Sequence, residues 1–366
     1  MPRPRLAKRG DTRRAGAIAV TYVPGRDIGE LLSPAPGRRQ PLKGFDPDYV
    51  DFVDYIIRCT HRIWEEKRLD LIRTHYTRDC VIHALGGEVR GAEAVVRNTA
   101  RTLSAFPDRT LFGDHVIWSG DDRRGFYSSH RITSHLTNLG GSDYGPATGR
   151  HAVVVTIADC AVKANRIYEE WLVRDNLGLV LQLGLDPHAV ARDQARKATA
   201  ALRRWRKSES CRVRAAHGPR TSALPDARAA PAAFARAAME CLWNQRALGL
   251  ARDVYAPAAA FIGPSGRDLL GPGEIVGFVA SILGALPDAC LGVDHVCAVD
   301  GPDGTTDVAL RWTLAGRHAG PGLYGPPTDR EILILGCTHW RIQDRRIVED
   351  WTVFDELAVL AQVYGG

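Results

Sequence analysis

Residues of apolar character at helical spacing open the first folded segment. Tyr49, Phe52, Val53, Ile56, Ile57, Thr60 and Trp64 recur behind Asp46-Pro47 and predict a helix that starts there. A second helix is expected over residues 69–76, a short strand over 80–83, and a third helix over 91–103 stopped by Phe106-Pro107-Asp108. From that point the period changes from 3.6 to 2. Strands are expected at 111–118, 125–136, 151–161 and 166–174, divided by turn clusters such as Ser119-Gly120-Asp121-Asp122. The order then returns: helices at 234–243 and 248–255, a strand at 259–262, a helix at 272–283, and strands again. Helices first and antiparallel strands afterwards predict an α+β fold rather than a parallel doubly wound sheet.

The order returns because the chain repeats itself 180 residues on. Tyr144-Gly145-Pro146-Ala147-Thr148-Gly149-Arg150 matches Tyr324-Gly325-Pro326-Pro327-Thr328-Asp329-Arg330, and Ile167-Tyr168-Glu169-Glu170-Trp171 matches Ile347-Val348-Glu349-Asp350-Trp351. Trp64 and Tyr76 match Trp243 and Tyr255, one residue short of that offset. So long a period is a duplicated domain, since solenoid units run about 20–50 residues. The expected organisation is a basic, disordered tail (1–44), a first domain (45–186), a basic Ala/Arg-rich linker with a helix at 188–207 (187–230), and a second domain (231–366).

Charge divides along the same lines. The chain of 366 residues has a net charge of +6, but residues 1–43 carry +7 and residues 190–220 carry +8, which leaves −9 for the rest. The folded domains are therefore acidic. Few aromatic residues interleave with the arginines, so nucleic-acid binding is not expected. Eight cysteines form no C-x-x-C pair, and no apolar run of about 18 residues exists to span a bilayer. A reduced, cytoplasmic protein that binds neither metal nor nucleotide cofactor is the expectation; P-loop, G-x-G-x-x-G, H-E-x-x-H and G-x-S-x-G patterns in the right context are absent from the sequence.

Candidate chemistry sits on the last strand of each copy. Ile167, Glu169, Trp171, Val173 and Asp175 are repeated without change as Ile347, Glu349, Trp351, Val353 and Asp355, while the alternate face differs. Strand side chains alternate with period two, so one whole face was held fixed. Two carboxylates and a tryptophan suit the wall of a polar pocket; a buried network with Arg131/Arg311 or Arg150/Arg330 is the other reading. Arg131 and Arg311, each two residues before a threonine, could hold an anionic or enolic oxygen or neutralise a neighbouring strand's glutamate. His339 precedes Asp355 by sixteen residues, and hairpin pairing could put the two on adjacent strands as an acid/base pair.

With those residues in view, the motif Gly-Pro-x-Thr-x-Arg, a strand, Ile-x-Glu-x-Trp-x-Val-x-Asp and a closing helix resembles the SnoaL-like polyketide cyclases of the nuclear transport factor 2 superfold. The resemblance implies two tandem cone-shaped α+β barrels, each a curved antiparallel sheet wrapped around N-terminal helices, with an apolar pocket at the mouth. It also implies cofactor-free ring closure of a small hydrophobic, carbonyl-rich substrate by an aspartate acid/base. That role would fall to Asp355 and Asp175, with His339 as its partner in copy two; Arg311, Trp351, Glu349, His318, Arg131, Trp171 and Glu169 would bind substrate. Copy two, which keeps His318 and His339 where copy one has Asn138 and Asp159, is expected to be the better catalyst. A non-catalytic binding module and epoxide-hydrolase-type chemistry are the alternatives. The two copies are expected to pair as an intramolecular pseudo-dimer, a homo-oligomer being left open.

Overall fold

The computed structural model describes residues 40–218, 223–225, 229–301 and 304–365. Most of the expected disordered tail, and parts of the flexible stretch expected at 218–231, lie outside them.

Copy one begins with helix α1 (Phe52–Trp64), later than Asp46-Pro47 suggests. Asp51 caps it by accepting from the Asp54 N–H at 2.8 Å, while the Asp54 carboxylate reaches back to the Val50 N–H at 2.9 Å. Residues 46–50 are spent on the turn that delivers this reciprocal cap. A 3-10 turn (Leu69–Leu71) and α2 (Ile72–His75) lead into a hairpin, β1 (Tyr76–Ala84) and β2 (Gly87–Arg90), the second strand being too short to announce itself in the sequence. Helix α3 (Ala92–Ala105) then crosses to β3 (Thr110–Asp121), β4 (Gly125–Thr137), β5 (His151–Lys163) and β6 (Arg166–Arg174). The strand order is β2-β1-β6-β5-β4-β3. All pairings are antiparallel except β1 with β6, so the sheet is mixed and open rather than an antiparallel barrel. The reason is connectivity: after α3 crosses over, the chain returns through a meander whose last strand fills the place beside β1.

Helix α4 (Asn176–Gln182) closes copy one, and the linker forms α5 (Pro187–Lys197) and α6 (Ala200–Ala216). One continuous helix is not made because Thr199 caps a new one, its Oγ1 accepting from the Leu202 N–H at 3.1 Å. Copy two repeats the plan. Helix α7 (Pro231–Met239) continues as a π turn (Glu240–Asn244), followed by a 3-10 turn (Leu248–Leu250) and α8 (Ala251–Val254). Strands β7 (Tyr255–Gly263) and β8 (Arg267–Leu270), helix α9 (Gly271–Ala285), β9 (Cys290–Asp300), β10 (Thr306–Arg317), β11 (Glu331–Gln343), β12 (Arg346–Phe354) and α10 (Glu356–Val363) complete it. Its sheet has the order β8-β7-β12-β11-β10-β9. The two sheets pack face to face, β3 against β9 and β6 against β12, so each copy has one sheet face toward its own helices and one toward its twin. Among the described residues, no helix is long and apolar enough to cross a membrane.

Candidate functional site

The faces that meet between the sheets include Trp171 and Trp351 of the set the repeat holds fixed, whereas Ile167 and Val173 of that set line the interior of copy one. Arg311 of copy two lies over the Trp171 ring of copy one at 3.5 Å, and Arg131 of copy one lies over Trp351 of copy two at 3.9 Å. Each guanidinium is thus stacked on the other copy's tryptophan, a cation–π pair strengthened by desolvation. Arg311 also donates from Nε to the Tyr127 hydroxyl at 3.2 Å and stands 3.7 Å from Asp159. Glu349 is bound by Arg341 at 3.1 Å, and Glu169 meets His83 Nε2 at 2.9 Å. The face that reads as a pocket wall is therefore engaged with its twin through its arginine and tryptophan, and the pairings with Glu and Asp that the network reading supposed are not the ones formed.

His339 belongs to the same interface. Its Nε2 lies 2.8 Å from Ser129 Oγ of copy one, its ring packs edge-on against His115 at 5.5 Å, and burial pushes its pKa well below the ordinary range. On β11 it pairs with Trp351, while Asp355 follows the end of β12, so the two are not brought together as an acid/base pair. His318 is fully buried in a turn, its Nδ1 3.1 Å from Thr328 Oγ1, and burial lowers its pKa.

Copy one holds a cavity of about 810 Å³ between its helices and the concave side of its sheet. That is room for a ligand of several rings. Apolar side chains such as Ile63, Ile132, Ala158 and Leu172 line it, α6 covers one end with Leu202, Trp205 and Arg206, and copy two contributes Leu335, Asp355 and Ala361. Four carboxyls line it: Glu88 and Asp143 are paired with Arg90 and Arg101, and two others are buried. Glu170, in the middle of β6, accepts from the Tyr76 hydroxyl at 2.9 Å; burial drives its pKa up to about 7 against the opposing effects of Tyr76 and Arg174. Asp355 caps α10, accepting from the Ala358 N–H at 3.1 Å and from Asn176 Nδ2 of copy one at 2.5 Å; burial raises its pKa to about 6. Its counterpart Asp175 caps α4, accepting from the Gly178 N–H at 3.0 Å and from the Ser265 N–H of copy two at 2.8 Å. Burial raises Asp175 to about 6 as well, but it does not line the cavity. Of the ten candidates read from the sequence, only Asp355 does.

In copy two the equivalent space is filled. Trp312, Trp340 and Phe354 stand where copy one has Ile132, Cys160 and Arg174, and Phe278, Val279 and Ile282 replace Asn98, Thr99 and Thr102. All six of those copy-one residues line the cavity. Trp312 stacks on Trp243 at 6.3 Å and meets Phe354 at 6.0 Å, and it has room only because Gly336 faces it: a Cβ there would lie 2.1 Å from the indole. The retained acid of copy two, Asp350, is satisfied by the Tyr255 hydroxyl at 2.7 Å and by Thr352 Oγ1 at 2.7 Å. Sequence reasoning passed over Glu170 because its face differs between copies, yet an acid at 170/350 opposite a tyrosine at 76/255 is kept in both and was the available signal.

A family model described as SnoaL-like polyketide cyclase matches residues 55–183 and 233–363, one match per copy. Among solved structures, a protein assigned to the SnoaL-like polyketide cyclases from Jannaschia sp. CCS1 is 20% identical with a TM-score of 0.33, over 39% of this chain and 99% of its own. IdmH from Streptomyces antibioticus is 25% identical with a TM-score of 0.31, over 37% of this chain and 99% of its own. TsrD from Streptomyces laurentii is 22% identical with a TM-score of 0.32, over 36% of this chain and 94% of its own. No curated protein matches.

Proposed function

We propose that this chain, which belongs to the SnoaL-like polyketide cyclase family, is a cofactor-independent cyclase or isomerase whose one working site is the cavity of copy one, completed by Asp355 from copy two. The family fold supports a cyclase- or isomerase-type function; the substrate and the acid/base residues are our reading. The observation that carries it is the presence of two buried carboxyls, one from each copy, on a single cavity.

The substrate is a small hydrophobic molecule with a carbon acid flanked by carbonyls. Asp355, whose pKa burial raises to about 6, takes the proton from that carbon. The enolate carbon attacks a second carbonyl of the same molecule, forming the ring C–C bond and leaving an alkoxide. Glu170, whose pKa burial raises to about 7, supplies a proton to that oxygen. Two buried carboxyls on opposite sides of the substrate divide the acid and base roles, and each well-placed group is worth ~10²–10⁴-fold. The filled copy supplies Asp355 and the sheet that buries the other face of copy one.

Proton abstraction is tested without knowing the substrate. Deuterium exchange into the activated CH2 of an aryl β-keto ester, followed by NMR with the full chain, should be accelerated. The rate should fall on the acid side as Asp355 protonates near 6. Exchange at the buffer rate across a series of such esters would reject the reading.

A further inference from the structure

Three arginines line the copy-one cavity with no carboxylate among the described residues at ion-pair distance: Arg109, Arg174 and Arg206. Arg206 is 7% exposed and comes from α6. Its Nε and Nη2 donate to the Leu85 carbonyl at 3.3 and 2.8 Å, which satisfies two N–H groups but not the charge, and its Nη1 is buried with no partner. Arg174 carries a buried Nε with no partner. Arg109 is committed to Ser134 Oγ, at 3.2 and 2.9 Å, and to the Trp64 ring at 4.4 Å. Burial pulls Arg109 to about 9 and Arg206 to about 10, values at which both stay charged at neutral pH.

The carboxylates nearby do not cancel this charge. Glu88 and Asp143 at the rim are taken by Arg90 at 2.8 Å and Arg101 at 3.0 Å. Glu65 acts on Arg109, and Glu170 and Asp355 are both shifted by burial toward the protonated form. Arg206 and Arg174 therefore face only weakened acids, and their buried positive charge is costly unless a ligand supplies the anion. Resting on the cavity reading above, we infer that the site selects a hydrophobic ligand bearing a carboxylate, engaged by Arg206 and Arg174. The planar guanidinium fork matches a carboxylate by paired hydrogen bonds.

The probe is anthracene-2-carboxylate, with its methyl ester as the neutral control, titrated by fluorescence into the full chain. The acid should bind at least about tenfold tighter than the ester, the scale of a charge-assisted hydrogen bond. Arg206→Gln and Arg174→Gln, checked for folding by circular dichroism, should each erase that preference and leave ester binding unchanged. An ester bound as tightly as the acid by wild type would overturn the inference while leaving the cavity reading intact. Binding of neither probe would overturn both.

Discussion

Glu170 is held as a carboxyl that the surroundings prefer uncharged. Its folded-state pKa near 7 lies above the ordinary value of 4.5, so the folded protein holds this proton more tightly than the unfolded chain does. The stability it contributes is complete below about 4.5 and lost as pH rises through 7. Glu170→Gln keeps an oxygen to accept from Tyr76 and removes the charge. It should therefore stabilise the protein by about 3 kcal/mol at pH 9, by nothing measurable at pH 4, and suppress turnover throughout. Urea denaturation at the two pH values checks this; a variant less stable than wild type at pH 9 would mean that the ionised carboxylate is stabilising. The same residue marks where sequence reading stopped. Alternation along β6 says which positions face together, and comparison of the copies says which were retained. Neither says what covers a face, because the cover comes from elements distant in the sequence, helices on the side of Glu170 and the twin sheet on the other.

At the scale of elements, identical topologies carry opposite interiors. Long periodic elements were legible: β6 runs over the residues its alternation predicts, and the helix at 91–103 appears as α3. The short β2 and β8, and the parallel pairing of β1 with β6 and β7 with β12, were not legible, since a four-residue strand has no period to read and pairing partners are a matter of long-range connectivity. The difference in filling was present in the sequence as Trp312, Trp340 and Phe354 against Ile132, Cys160 and Arg174, but it acquires meaning only once those positions are known to point inward. If copy two is a packed core rather than a second site, Trp312→Ala should cost about 3–5 kcal/mol, the price of a cavity left by a buried aromatic. Denaturant titration should show that loss, and acid-probe affinity of the surviving folded protein should be unchanged.

Across the whole molecule, the two copies share what each would otherwise leave exposed. The crossed Arg131–Trp351 and Arg311–Trp171 stacks, the contact of His115 with Asp307 at 3.2 Å, and the apolar group of Ile117, Cys297 and Val299 span the sheets. Neither copy can expose this face, with its buried charges, without penalty. Calorimetry should therefore show one cooperative unfolding transition, and two separated transitions would mean the copies are independent domains. The shared architecture also makes the site composite, because the end of β12 carries Asp355 across to the cavity of copy one while Asp175 is turned to Ser265. That asymmetry between two matched aspartates is the most direct test. Asp355→Asn and Asp175→Asn each keep an oxygen for their helix cap, and proton-exchange rates on the β-keto ester would be compared at pH 7. The account predicts a loss of at least ~10²-fold for Asp355→Asn and a rate within a few-fold of wild type for Asp175→Asn. A loss confined to Asp175→Asn would contradict it and move the chemistry out of the cavity.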